Sequence, residues 1–403
     1  MAGVEAVSAP QRLRCEYREN PLGIEEIRPR LSWWVADGRR GAVQTAYHIL
    51  VAGSPEALNA DEGDLWDSGK VPSDRNFNVV YGGRPLGSRR RCWWKVRTYD
   101  AEDVAGPWSK PARWEMGLLE PGDWAAQWIG APGEAEPEAV TYLRGEFTAQ
   151  SGVAWARLYA TALGVYELRL NGQKVGDQVL TPGWTDYRAR VMYQTYDVTE
   201  QLRVGPNALG ALLGEGWYCG RIGWAEEGEA FGPRPPRLLA QLELHYADGR
   251  TERFVTDGAW RCSDGPVARS GIYPGEHYDA RRRMPGWDQA GFPAEDWRTA
   301  RTFQAPEAAL AAQQDPPIRV TQELRPVEVR RQGQGAYVFD FGQNMVGVCR
   351  LQVRAPKGTE IRLRHAELLD TDGPLYTENL RTAEATDTFV LSGEGEEVLV
   401  PRF

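Results

Sequence analysis

The sequence lacks the excess of basic residues that would indicate a nucleic-acid partner. Its 47 Lys and Arg residues are outnumbered by 56 Asp and Glu residues, which gives a net charge of −9. Binding to nucleic-acid phosphates needs a clustered basic surface. The short basic run Arg89-Arg90-Arg91 is followed by strand-like sequence, and we interpret it as solvated surface. We therefore expect no nucleic-acid partner.

Long apolar runs and paired cysteines are also absent. No stretch approaches the roughly 20 apolar residues of a membrane-spanning helix, and residues 1–14 contain no continuous apolar segment of a secretory signal. The cysteines are few, odd in number and without metal-ligand spacing: Cys15, Cys92, Cys219, Cys262 and Cys349. We interpret them as free thiols in a reducing compartment. The sequence thus predicts a cytoplasmic protein, no membrane partner and a small imported substrate.

What the sequence does contain is strand-like alternation. Trp94, Val96 and Thr98 alternate with polar or aromatic neighbours, and such a period of two places one set of side chains on a core face. Tight-turn dipeptides, Asn171-Gly172 and Asp248-Gly249, separate other alternating runs. Only two short segments, 54–60 and 306–313, are expected to be helical. The pattern predicts an all-β protein.

A chain of 403 residues is too long for one ordinary core, so two or three domains are expected. Residues 1–117 have short strands and many Trp residues, which favours a fibronectin-III-like or immunoglobulin-like sandwich. Residues 118–315 are rich in aromatics and hairpins, which favours a jelly-roll domain. A linker near 305–317 precedes a second, concanavalin-like β-sandwich at 318–403. This last segment is predicted to be incomplete, because the sequence ends in mid-strand.

Several motifs, spread over the whole chain in a fixed order, resemble those of the bacterial α-L-rhamnosidase family. Any one of them is weak, and their joint occurrence carries the resemblance. They include Glu19-Asn-Pro-Leu-Gly-Ile24, Thr161-Ala-Leu-Gly-Val-Tyr-Glu167, Pro182-Gly-Trp-Thr-Asp-Tyr187, Leu213-Gly-Glu-Gly-Trp-Tyr218, Gly275-Glu-His-Tyr-Asp-Ala-Arg281, Phe339-Asp-Phe-Gly-Gln-Asn344, His365-Ala-Glu367 and Asp387-Thr388.

The resemblance implies the N-terminal part of a glycoside hydrolase that removes terminal α-L-rhamnosyl residues with inversion. In that family the catalytic carboxylates lie in an (α/α)6 barrel, and no position of this sequence corresponds to the acid or the base. The expected partners are a rhamnosylated small molecule or oligosaccharide and a C-terminal catalytic domain in the parent protein. We therefore expect no catalytic residues here and no activity of the 403 residues alone. Two alternatives remain: a free-standing calcium-dependent carbohydrate-binding protein, or the accessory domains of another exo-glycosidase.

Aromatic side chains of the middle segment are the best candidates for sugar contact. Trp and Tyr rings match the flat C–H face of a sugar, while acidic and amide groups match its hydroxyl rim. Most Trp residues must nevertheless be buried in a core, and that alternative stays open at each position. The candidates are Trp184, Asp186, Tyr187, Trp217, Trp224 and Glu226.

No cofactor is expected, although calcium is possible. Some members of the family that the sequence resembles bind rhamnose through calcium. A calcium site needs six to eight oxygen ligands. Carboxylates of the middle segment that could contribute are Asp177, Asp186, Glu226 and Glu229. No strict ligand spacing accompanies them, so their alternative role is in hairpins and solvated loops.

Two polar motifs of the last segment have predicted structural roles. Alternation would place His365 and Glu367 on one strand face, where a buried ion pair or hydrogen-bonded contact is favoured over a substrate contact. Asp340, Gln343 and Asn344 follow a strand and are interpreted as interface or loop-fixing residues.

Overall fold

The computed structural model describes residues 8–133, 136–223, 230–371 and 373–403. Nearly all regular structure is β, as the alternation predicts, and the expected all-β class is confirmed. No helix within the described ranges is long and apolar enough to cross a membrane. The chain divides into two compact units. The first consists of residues up to Trp124 with Ala312–Gln314, and the second of Ala125–Ala311 with Asp315–Phe403.

The first unit is an antiparallel sandwich of a three-stranded sheet, in the order β1-β2-β6, and a five-stranded sheet, in the order β4-β3-β7-β8 with β5 also on β3. Between them lie the fully buried indoles of Trp33, Trp94 and Trp114. The strands are β1 Gln11–Cys15, β2 Arg30–Trp34, β3 Ala46–Ala52, β4 Trp66–Asp67, β5 Val71–Pro72, β6 Val79–Val80, β7 Arg91–Tyr99 and β8 Ala112–Glu115.

The two predicted helices have opposite outcomes. Helix α1, Pro55–Asn59, forms where expected, because Ser54 caps it by accepting a hydrogen bond from the Ala57 N–H at 3.1 Å. The second prediction, at 306–313, is wrong, since Ala309–Ala312 is a strand. The Ala309 N–H donates to the Ala189 carbonyl at 3.2 Å, and a short alanine segment is too weak a helix to resist such pairing.

The middle of the chain forms a larger β-sandwich within the second unit. One sheet runs β13-β12-β15-β10-β18-β21 and the other β22-β9-β16-β11-β14-β23, with β17 also paired to β16. Their inner faces enclose a core of alternating apolar residues such as Leu158, Leu213 and Leu242. Asn171 and Gly172 both have positive φ and close the predicted turn between β12 and β13.

The elements of this sandwich and its flanking segments are β9 Trp128–Gly130, β10 Thr141–Ala149, β11 Val153–Leu163, β12 Val165–Leu170, β13 Gln173–Lys174, β14 Arg190–Asp197, β15 Gly205–Gly214, α2 Gly216–Cys219, β16 Arg237–Tyr246, β17 Thr251–Val255, β18 Arg261–Asp264, β19 Val267–Gly271, β20 Gly275–Asp279, β21 Arg298–Thr299, β22 Arg301–Phe303 and β23 Ala309–Ala312. Short 3-10 turns lie at Pro121–Asp123, Thr199–Gln201, Ala280–Arg282 and Glu378–Leu380.

The last segment of the chain contributes only small sheets of its own. Pairs form between β24 and β25, β26 and β31, and β28 and β29. Its strands are β24 Glu328–Arg331, β25 Tyr337–Asp340, β26 Leu351–Val353, β27 Glu360–Arg364, β28 Leu368–Leu369, β29 Leu375–Tyr376, β30 Thr386–Val390 and β31 Glu397–Leu399.

One sheet joins the last segment to the middle of the chain. Its order is β19-β20-β30-β27, and β20 pairs with β30 in parallel, with His277 opposite Thr388. The shared core beneath it includes Tyr142, Leu212 and Phe389. The last segment thus completes its sheet with a hairpin that precedes the predicted linker in sequence. The domain boundaries expected at 315 and 318 stay predictions.

Candidate functional site

The loop before β14 carries Trp184, the most exposed of the predicted sugar-contacting aromatics that lie within the described residues. Trp184 is 57% exposed. Tyr187, three residues later, is buried, and its hydroxyl donates to the Gly183 carbonyl at 2.8 Å. The Tyr187 ring also packs edge-on against Tyr218, with centroids 5.4 Å apart. Tyr187 therefore holds the loop in place, and Trp184 is the ring presented to solvent.

Two segments that the sequence analysis singled out meet at this contact. Tyr218 belongs to helix α2, in which Trp217 is half-buried. Trp224, Glu226 and Glu229 lie outside the described residues. Of the predicted sugar-contacting aromatics within the described residues, Trp184 and Trp217 thus have surface available for a ligand.

The two calcium candidates among the described residues, Asp177 and Asp186, are each engaged by an arginine. Asp186 accepts a hydrogen bond from Arg188 Nε at 2.9 Å, and this interaction lowers the pKa of Asp186. Asp177 accepts from Arg319 Nε at 2.8 Å. Within the described ranges, no group of three or more His, Cys, Asp or Glu side chains could hold a metal ion. The described carboxylates therefore give no support to the calcium hypothesis.

A buried charged network, which the sequence analysis did not assemble, lies at the sheet shared by β20 and β30. Glu276 on β20 has a fully buried side chain. One carboxylate oxygen accepts from the Arg402 backbone N–H at 2.9 Å and the other from its guanidinium at 3.2 Å. Burial raises the pKa of Glu276 to about 7, although Arg402 opposes that shift. The pair fixes the last residues of the chain against β20.

Asp387 extends this network to His365. One Asp387 oxygen accepts from the Glu276 backbone N–H at 2.9 Å, and the other lies 3.1 Å from His365 Nε2. The hydrogen bond to Asp387 is the main cause that raises the pKa of His365 to about 9. The expected hydrogen-bonded role of His365 is therefore present. Its predicted placement on one strand face with Glu367 is wrong, because β27 ends at Arg364 and Glu367 is exposed.

Gly275 is the position at which this network tolerates no side chain. Its φ is +94°, and a Cβ there would lie 2.4 Å from the Thr386 carbonyl oxygen. The motif Gly275-Glu-His-Tyr-Asp was visible in the sequence, as was Asp387-Thr388. The contact between these two motifs, across 111 residues, could not be predicted from the sequence, because no local pattern indicates the parallel register of two distant strands.

The Asp340 motif has the predicted loop-fixing geometry. The Asp340 side chain accepts from the Gly342 N–H at 2.7 Å, directly after β25. Gln343 and Asn344 are exposed, as are Val346 and Val348 beyond them. The loop is thus set by Asp340 and presents both polar and apolar side chains to solvent.

Surface depressions of the described residues differ from the pocket that inverting hydrolysis requires, in which an acid and a carboxylate lie roughly 6.5–9.5 Å apart. One of about 310 Å³ in the second unit is lined by Glu146 and Glu295 among others, and it is open to solvent. Glu146 there accepts from the Gly291 N–H at 3.0 Å and pairs with Arg144. A larger one, of about 620 Å³, lies in the first unit and contains Arg89 and Trp93. Neither is a closed cavity with opposed free carboxylates.

Family models match three consecutive parts of the chain. Residues 10–120 match the Rha78A-like N-terminal immunoglobulin domain. Residues 151–322 match the α-L-rhamnosidase N-terminal domain, and residues 330–403 match the bacterial α-L-rhamnosidase concanavalin-like domain. The chain belongs to the bacterial α-L-rhamnosidase family.

Curated relatives and solved structures of the family agree with this. The chain is 34% identical to an α-L-rhamnosidase from Streptomyces avermitilis and 38% identical to one from Alteromonas, over 96% and 95% of its length. It covers 54% and 43% of those proteins.

The structure superimposes on rhamnosidases from Dictyoglumus thermophilum and Streptomyces avermitilis, the latter complexed with L-rhamnose, with TM-scores of 0.91 and 0.92. Sequence identity is 36% and 33%, and the match covers 98% of this chain but 46% and 55% of theirs. The chain therefore spans about half the length of the relatives it matches.

Proposed function

We propose that these residues form the non-catalytic N-terminal part of an α-L-rhamnosidase that hydrolyses terminal rhamnosyl bonds with inversion. The observation that carries the proposal is that nearly the whole chain matches only about half of each relative. The matching family models describe an N-terminal immunoglobulin domain, an α-L-rhamnosidase N-terminal domain and a concanavalin-like domain. The substrate class is a rhamnosylated small molecule or oligosaccharide.

The described carboxylates support a non-catalytic role. Inverting hydrolysis uses a carboxylic acid and a carboxylate roughly 6.5–9.5 Å apart, with a water between them. The most deeply buried acids instead have cationic partners within the fold: Glu276 with Arg402, Glu215 with Arg234, Glu243 with Arg253. Removal of the cationic partner would leave such a carboxylate buried without compensation, so these acids are engaged within the fold.

The last segment supports a packing role for this part of the protein. Thirteen of its large apolar side chains are exposed, among them Val327, Val329 and Phe339. Val329 and Phe339 are paired across β24 and β25, and exposed apolar side chains that lie side by side are typical of an interface. We therefore propose that a further domain of the parent protein covers it.

An assay of the 403-residue chain with an aryl α-L-rhamnoside tests the proposed function. We expect no hydrolysis above the buffer rate, while a longer rhamnosidase used as positive control releases the aryl alcohol. Turnover by the purified 403-residue chain would show that the active site lies in these domains and would contradict the proposal.

A second candidate function is carbohydrate binding by the loop that carries Trp184. The exposed indole favours it, because a sugar face can stack on that ring without any rearrangement of the core. Titration of L-rhamnose, followed by tryptophan fluorescence, with and without a calcium chelator, tests this function. Saturation that is lost in Trp184→Ala supports it, and loss with the chelator would assign it to calcium. An unchanged signal at high rhamnose concentration contradicts it.

We also propose a cytoplasmic location. Four of the five cysteines are buried free thiols, as is common in a reducing compartment. Fractionation of the producing cells, with immunodetection of the chain, tests the proposal, and recovery outside the cytoplasmic fraction would contradict it.

A further inference from the structure

The basic run Arg89-Arg90-Arg91 lines the larger surface depression of the first unit. The depression measures about 620 Å³, and Gly53 and Ser54 also line it. Ligand sites in proteins are concave and have volumes of roughly 300–1,000 Å³. The depression therefore has room for a small molecule, and the arginines supply its positive charge.

Two of the three arginines are held in place by neighbours within the first unit. Arg89 Nη1 lies 2.5 Å from Asp123 Oδ1. Arg91 Cζ lies 4.7 Å from the centroid of the Trp93 ring, and Arg91 Nε lies 3.9 Å from Glu115 Oε2. Because these contacts restrict the two side chains, the wall of the depression is ordered before any ligand arrives.

Arg90 differs from both of its neighbours in the run. Its side chain is exposed, and no acid of the described residues forms an ion pair with it. A Cβ on Gly53 would lie 2.5 Å from Arg90 Nη2, so the glycine leaves the space that the guanidinium occupies. Asp64, which also approaches Gly53, accepts from the Gly53 N–H at 2.8 Å. Arg90 thus presents an uncompensated guanidinium to the depression.

We propose that this depression binds a saccharide with one carboxylate, and that Arg90 is the residue that contacts the carboxylate. A guanidinium binds a carboxylate through two parallel hydrogen bonds. One unpaired cation matches a single negative charge better than the nearly two charges of a phosphate monoester. Ser54 and Glu56 line the same depression and offer a hydroxyl donor and a carboxylate acceptor to sugar hydroxyls. The saccharide assignment rests on the proposed function, in which the parent protein acts on sugars.

Saturation-transfer difference NMR on the 403-residue chain tests the proposal with methyl β-D-glucuronide and methyl β-D-glucoside. These two ligands differ only by a carboxylate in place of a hydroxymethyl group. We expect saturable binding of the glucuronide and at least about tenfold weaker binding of the glucoside, which lacks the charged hydrogen bonds. Equal affinity for the two would overturn the proposal. Inorganic phosphate serves as a competitor, and a higher affinity for phosphate than for the glucuronide would overturn the assignment to a saccharide.

Two variants with matched controls assign the binding to Arg90. Arg90→Gln should weaken glucuronide binding by about tenfold, whereas Arg40→Gln, which removes an exposed arginine outside the depression, should leave it unchanged. Gly53→Ala should weaken binding without a change of charge, because its methyl group displaces the Arg90 guanidinium. Gly38→Ala is its control, since no atom lies within 4 Å of the Gly38 Cβ position. Near-UV circular dichroism reports that each variant is folded. Equal affinity in wild type, Arg90→Gln and Gly53→Ala would overturn the proposal.

This binding test and the hydrolysis assay fail in different ways. Absence of glucuronide binding, together with absence of hydrolysis, would refute the carboxylate site and leave the proposed function intact. Hydrolysis of the aryl rhamnoside by a chain that also binds the glucuronide through Arg90 would contradict the non-catalytic role alone.

Discussion

The middle sandwich and the last segment have the same alternation of apolar and polar residues in their strands, but they bury the apolar side chains to different extents. On β12 in the sandwich, Tyr166, Leu168 and Leu170 alternate with half-buried neighbours and all three are buried. On β24 and β25, by contrast, Val329 and Phe339 lie on a two-stranded sheet and are about half exposed. Alternation thus identifies a strand with an apolar face, and the fold decides whether this chain covers that face.

The largest expected difference between the two regions is the cost of removing an apolar side chain. Leu242 is fully buried in the sandwich core, so Leu242→Ala should lower the free energy of unfolding by about 2–5 kcal/mol. Val346 is fully exposed, so Val346→Ala should change it by less than about 0.5 kcal/mol. Urea unfolding of both variants measures the difference. A comparable loss in both would mean that the last segment has a core of its own.

The sheet that links the regions should be sensitive at Gly275. Gly275→Ala places a Cβ against the Thr386 carbonyl and imposes a strained φ, so we expect a loss of about 3 kcal/mol. Gly286→Ala is the matched control, because Gly286 also has positive φ but no atom within 4 Å of its Cβ position. The control should lose only about 1 kcal/mol. Equal losses by thermal unfolding would show that β20 and β30 separate at little cost.

Protonation of Glu276 should set a pH dependence that the sandwich core does not share. Its folded pKa of about 7 exceeds the ordinary 4.5, so the native state binds the proton more tightly than the unfolded chain. The contribution of Glu276 to the free energy of unfolding is therefore complete below pH 4.5 and declines as the pH rises through 7. Urea titrations from pH 4.5 to 8 should show this decline in wild type and in the exposed control Glu360→Gln, but not in Glu276→Gln. If the stability of Glu276→Gln declined with pH as that of wild type does, the decline would have to come from another group.

The smallest expected effect is that of His365. Its pKa is raised to about 9, so its contribution to stability is present below pH 6.5 and is lost as the pH rises through 9. Because the side chain is 41% exposed, solvent screening reduces that contribution to about 1 kcal/mol. At pH 6 the free energy of unfolding of wild type should exceed that of His365→Gln by this amount. At pH 10 the two proteins should be equally stable. No difference at pH 6 would contradict the ion pair.

The sequence predicts the fold class, because period-two runs and turn dipeptides are local signals. It also predicts the capped helix after Ser54. It fails at 306–313, where strand pairing outweighs a weak helical preference, and at Glu367, because the strand ends earlier than its alternation. The aromatic candidates divide by burial: Tyr187 packs inside its loop and Trp184 faces solvent. Burial depends on tertiary contacts, and residue type alone could not separate the two.

The network of Glu276, Asp387 and Arg402 could not be assembled from sequence for a related reason. Glu276 and Asp387 occur in recognisable motifs, but the contacts of the network join segments more than 100 residues apart. The local signal was Gly275 at the start of β20. A glycine in a strand often marks a site where another backbone approaches closely.

Sedimentation velocity of the purified chain over a range of concentrations tests the central claim, that the last segment presents an exposed apolar surface. We predict concentration-dependent self-association, since exposed apolar strand edges pair with other chains. Polar replacement of three exposed residues, Val327→Lys, Val329→Lys and Phe339→Glu together, should restore a monomer. A wild-type chain that sediments as a single monomeric species at the highest concentrations would contradict the account.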